Sequence, residues 1–193
     1  MAAKEKLNRD EMLQAEFKYI ANTAFQANED RSRVTSFYVI STGSLIAAIL
    51  GTQFAETQAR GISLAFSLLF LVLTILGALT LAQLARLRAS WHESVEAMNT
   101  VKDFYIKENP EIASAFKWRI KSIPPTDKPY SIANLMAIEV SLLGALTAGA
   151  FIYFLLNFVG DVNVLSWILV AISFITGYIA QWAWYKHLLV DNQ

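Results

Sequence analysis

Four apolar stretches, residues 34–52, 61–82, 132–158 and 164–185, hold a single charged residue between them, Glu139. Each is about as long as the ~20 residues a helix needs to cross a ~30 Å hydrocarbon layer. Lipid offers backbone amides no partner, so each stretch predicts one continuous helix. The expected fold is an all-α membrane protein with four transmembrane helices and the lipid bilayer as its first partner. Composition agrees, with 17% charged residues against roughly 25% in an ordinary soluble domain. Sixteen Lys+Arg balance sixteen Asp+Glu, so no charge excess draws the chain to nucleic acid. The absence of cysteine excludes a disulfide framework, a thiolate nucleophile and any Cys-based metal centre.

Basic residues set the expected direction. The arm before the first stretch holds Lys4, Lys6, Arg9, Lys18, Arg31 and Arg33, and the central segment holds Arg86, Arg88, Lys102, Lys107, Lys117, Arg119, Lys121 and Lys128. The first outer loop holds only Arg60, the second outer loop has none, and Lys186 follows the last stretch. This bias predicts an inner-membrane, multi-pass protein with both termini in the cytoplasm. Tyr38, Tyr130, Trp182, Trp184 and Tyr185 are expected at the inner boundary, and Phe54, Phe158 and Trp167 near the outer one. The charged first 33 residues lack the apolar core and cleavage site of a signal peptide, so the first span is expected to direct its own insertion.

The arm reads as a helix from Arg9, with Asn8 as its cap and Asp10 and Glu11 in its first turn. Leu13, Phe17, Ile20, Ala24 and Ala27 recur at steps of three and four, a coiled-coil type of seam. No Pro or Gly parts this seam from the first span, so one helix is expected to run through both. Beyond Ala82 the second span continues likewise through Leu84, Leu87, Trp91, Ser94, Met98, Val101 and Tyr105 to Asn109-Pro110. Arm and extension are about 24 and 26 residues, ~36–39 Å at helical rise. Their matched lengths predict a cytoplasmic helical-hairpin stalk.

Next, residues 110–122 predict a short helix with Asn109 as cap and Pro110 in its first turn. Its Phe116, Trp118 and Ile120 among Lys117, Arg119 and Lys121 suit either the anionic inner leaflet or a place against the stalk. Pro124, Pro125 and Pro129 then form a stiff linker. The expected organisation is a cytoplasmic arm (1–33), a first transmembrane hairpin (34–82), cytoplasmic helices and linker (83–131), a second transmembrane hairpin (132–185) and a cytoplasmic tail (186–193).

No grouping of residues suggests catalysis, a cofactor or a metal. His92 and His187 lack the partners of a triad, and the chain is expected not to be an enzyme. Glu139 is the informative residue, since an ionisable group within a span should face protein or water. At 100° per residue it shares a face with Leu142, Leu143, Leu146, Ala150, Tyr153 and Asn157, opposite Ala137, Ser141, Gly144 and Ala148. Glu139, Tyr153 and Asn157 are the candidates for an ion path, although a plain hydrogen bond to a neighbouring helix would also account for Glu139. Small residues line every span, among them Gly43 in the first and Gly144 in the third, and suit close helix packing. Candidate assembly residues are therefore Phe17, Ile20, Trp91, Met98, Gly43 and Gly144.

A charged helical arm, two spans and a helical extension carrying Trp91 and Glu96 resemble the SLATT group of small bacterial membrane proteins over residues 9–120. That resemblance implies a pore-forming effector of the kind proposed beside nucleotide-signalling immune systems. The residues themselves predict a self-associating homo-oligomer, forming a pore or perturbing the membrane. The alternatives are a membrane-anchored scaffold, docking a cytoplasmic protein partner through its stalk, and a small transporter subunit.

Overall fold

The computed structural model describes residues 9–51 and 59–190. Asn8, Thr52 and Phe54, which carried expectations above, lie outside the described residues. The described chain is all helical. Helix α1 runs Arg9–Gly51, α2 Ala59–Glu108, α3 Ile132–Val159 and α4 Val164–Val190. The first two span 43 and 50 residues without a break, so the charged extensions continue the apolar segments as the unbroken sequence predicted.

Three helices, α2, α3 and α4, are long and apolar enough to cross a membrane, which makes this a membrane protein. The upper part of α1 is more dilute in apolar groups, because Thr35, Ser36, Ser41, Thr42 and Ser44 interrupt Val34 to Ile49.

Helix α2 is the centre of the bundle and packs against α1, α3 and α4, whereas the α1 and α4 backbones do not come close to each other among the described residues. One buried cluster draws on all four helices: Tyr38, Leu81, Leu84, Ala85, Ala137, Val140, Tyr185 and Leu189. A second, nearer the other end, joins Ile49, Phe70 and Leu73, with Phe70 stacked on Phe154 at 5.6 Å between ring centroids. Tyr38 and Tyr185 are thus 3% and 1% exposed. They are core residues whose rings face the bundle and not its surface. Tyr38 gains a partner by going inside, where its hydroxyl donates to the Leu73 carbonyl at 3.2 Å.

In the extensions, Ile20, Ala24 and Ala27 are buried and Leu13 and Phe17 half-buried. On α2, Leu84 and Ser94 are buried, while Leu87, Trp91, Met98, Val101 and Tyr105 are half-buried. Lys102 lies over the Phe17 ring at 6.0 Å, so these faces meet.

The segment after α2 corrects the sequence reading. Residues 110–122 are not one amphipathic helix but two short 3-10 turns, Pro110–Ala115 and Ile120–Ser122. Asn109 makes no capping hydrogen bond, and Phe116 turns extended, lining a cavity beside Leu13, Phe17 and Tyr105. Arg119 donates to the Ala113 carbonyl at 3.2 Å and its amide to Ser122 Oγ at 2.8 Å. Pro124 disfavours a helical Ile123, which is indeed extended. Tyr130 then takes a left-handed conformation, φ 58°, and Ser131 caps α3 by accepting from the Asn134 amide.

Candidate functional site

Along the α2–α3 contact, packing is close and polar. A Cβ on Gly77 would stand 3.5 Å from Gly144 Cα, and one on Gly144 would run into the Gln181 amide. Thr74 and Thr147 hydroxyls pair at 3.0 Å, and Ser67 Oγ donates to the Phe151 carbonyl at 3.3 Å. Asn157 Nδ2 donates to Ser63 Oγ at 3.2 Å. Small residues and hydroxyls are the means by which helices associate where water exclusion supplies no drive.

Glu139 lies outside this contact. Ala137, Ser141 and Gly144 are buried as the face argument required, while Glu139 is exposed beside exposed Leu135, Leu142 and Leu146. Its carboxylate makes no hydrogen bond or ion pair among the described residues. It stands about 10 Å along α3 from Ile132 at helical rise. With Gly144 opposite Gln181, the antiparallel register puts it near the level of Tyr185.

The other two ion-path candidates do not join it. Asn157 is committed to Ser63, and Tyr153 lies in an apolar groove of ≈610 Å³ between α3 and α4, its ring 5.3 Å from Trp167. Of the assembly candidates, Phe17 and Ile20 lie in the α1–α2 seam. Trp91 is half-buried under Arg88, 4.5 Å away, and Met98 is half-buried. Gly144 is inside the protomer, whereas Gly43 is exposed and a Cβ there would meet nothing within 4 Å. Among the described residues no group of His, Asp and Glu could hold a metal ion.

A polar cluster at the end of the bundle escaped the sequence reading. Arg31 and Arg88 are 8% and 5% exposed. Arg88 donates from Nε to the Thr126 carbonyl at 3.0 Å and from Nη2 to the Pro125 carbonyl at 3.2 Å. These bonds strap the linker to α2, and Lys186 ties it to α4 through Asp127 at 3.6 Å. Arg31 donates from Nη2 to Asn28 Oδ1, but its Nε and Nη1, and Thr35 Oγ1 one turn on, are buried without hydrogen-bond partners. Burial, and next the Arg88 charge, push the Arg31 guanidinium below its ordinary value, with Tyr185 acting in the opposite sense. Burial does the same to Arg88. Both remain charged at neutral pH, because arginine does not deprotonate in proteins. The signal was present in the sequence: Arg31 continues the seam of Ala24 and Ala27 at steps of three and four, and Arg88 that of Leu81 and Leu84.

No protein-family model matches the chain, and no curated protein or solved structure is significantly similar to it.

Proposed function

We propose that this is a self-associating four-span membrane protein of the inner membrane, non-enzymatic, whose assembly brings copies of Glu139 together at the mouth of a cation-conducting pore. In this reading α1 crosses the bilayer beside α2, and the paired extensions stand as a stalk in the cytoplasm with both termini. The supporting observation is Glu139 itself, exposed and unpartnered on a helix apolar enough to span. A carboxylate facing lipid is unfavourable, by about 2.5–3.5 kcal/mol for Asp at a helix centre and by less towards the boundary, where Glu139 stands. A second copy covering that face, with water between carboxylates, removes the penalty. Tyr153 and Asn157 are then structural within the protomer.

The decisive experiment is cation flux in liposomes with Glu139→Gln, an isosteric change on an exposed side chain. Reduced flux with unchanged helix content supports the reading, and wild-type flux removes Glu139 from the mechanism. One observation favours a second reading, a membrane-anchored scaffold. Tyr19 and Phe25 are 68% and 70% exposed on the α1 extension, where a cytoplasmic protein partner would cover them.

A further inference from the structure

We propose that Arg31, Thr35 and Arg88 form a binding site for a phosphate oxyanion at the end of the bundle, supplied by an anionic lipid headgroup or by free phosphate. Two arginines from helices packed on each other are buried, and neither forms an ion pair with a carboxylate among the described residues. The neighbouring acids are otherwise engaged. Asp30 and Glu29 pair with Arg33, and Asp127 pairs with Lys186. An uncompensated pair of buried cations is unfavourable in itself, because desolvation is not offset by an opposite charge. An anion offsets it.

The donors left over match an oxyanion. Arg31 Nε and Nη1 are both without partners, so the guanidinium keeps N–H donors that phosphate oxygens can accept. Thr35 Oγ1, also without a partner, is four residues on and therefore on the same face of α1. Arg88 is held in place by its two bonds to the linker carbonyls, which leave Nη1 to contribute. The site lies at the end of the bundle, where the linker is strapped across α2 by Arg88. Its height favours the lipid as source: it lies where the apolar part of α1 begins, the level at which basic pockets between helices take phospholipid headgroups. This inference stands apart from the pore reading and does not require Glu139.

The test is thermal unfolding of the full chain in a zwitterionic detergent, titrated with phosphatidylglycerol, with phosphatidylcholine, or with inorganic phosphate. Phosphatidylglycerol is expected to raise the unfolding temperature and phosphatidylcholine to leave it unchanged. Arg31→Gln should shift the phosphatidylglycerol midpoint at least about tenfold upward, the loss expected for hydrogen bonds to a charged group, and Thr35→Val should shift it less. Arg31→Met should unfold at a higher temperature than wild type without lipid, yet gain nothing from phosphatidylglycerol. A residue holding the fold together would give the opposite sign in the lipid-free state. If inorganic phosphate alone reproduces the whole shift, the site stands with free phosphate as its ligand. Equal responses to the two lipids without any response to phosphate, or an Arg31→Gln midpoint equal to wild type, would overturn the proposal.

Discussion

Helix α2 packs by two different chemistries along its length. Against α3, from Ser63 to Gly77, it offers hydroxyls and glycine beside the Phe66 and Phe70 rings, and the partners are Asn157, the Phe151 carbonyl, Thr147, Gly144 and the Phe154 ring. Against the α1 extension, from Leu84 to Tyr105, it offers larger side chains to Phe17, Ile20, Ala24 and Ala27. The first pattern suits lipid, where contact area and hydrogen bonds must hold helices together. The second suits water, where burying apolar area is itself the driving force. The change falls near Leu84 and Arg88, at the four-helix cluster and the linker strap. In the proposed arrangement this is where α2 leaves the bilayer.

The sharpest way to break this contrast is Gly144→Leu. A side chain there enters the space of the Gln181 amide and pushes α3 from α2 and α4, so about 3 kcal/mol of stability should go, the upper part of the overpacking range. Denaturation by sodium dodecyl sulfate in mixed micelles measures it, and an unshifted transition would mean that this contact is not close. Next comes Ile20→Ala in the extensions, where the side chain is 9% exposed and deletion should cost about 2 kcal/mol. Amide hydrogen exchange should rise in the extensions and stay low in α3 and α4. Uniform loss of protection would say that the two regions are one cooperative unit.

A smaller effect is expected for Thr74→Val with Thr147→Val. Their coupling should be about 0.6 kcal/mol, the mean for hydrogen bonds between membrane helices, and a double-mutant cycle in the same denaturation assay reads it. Gly43→Leu should change protomer stability by no more than about 0.5 kcal/mol, as for an exposed position, because nothing is near it. Cross-linking yield of that variant reports whether the exposed face of α1 contributes to self-association.

Much of the architecture was legible because long helices write a period into sequence. The unbroken runs of α1 and α2, the seam residues of the extensions and the buried face of α3 at Ala137, Ser141 and Gly144 all followed from steps of three and four. Polar residues on that same period were harder to read. Arg31 and Arg88 occupy buried positions, but a charge invites assignment to solvent, and Tyr38 and Tyr185 invite assignment to the membrane boundary. Their burial depends on partners such as the Leu73, Pro125 and Thr126 carbonyls, which no local pattern announces. Residues 110–122 misled for another reason: with Pro110 and Pro124 so close, the segment has too few turns to propagate an α-helix, and Phe116 gains more from the cavity beside Phe17. The outward direction of Glu139 was open as well, because the spacing fixed its face but not what that face meets.

The central claim is that exposed Glu139 is covered by further copies of this chain, and subunit counting by native mass spectrometry tests it most directly. The account predicts one closed assembly larger than a dimer for detergent-purified wild type, in which cross-links from positions beside Glu139 join neighbouring subunits. A monomer that persists at high protein concentration would contradict it.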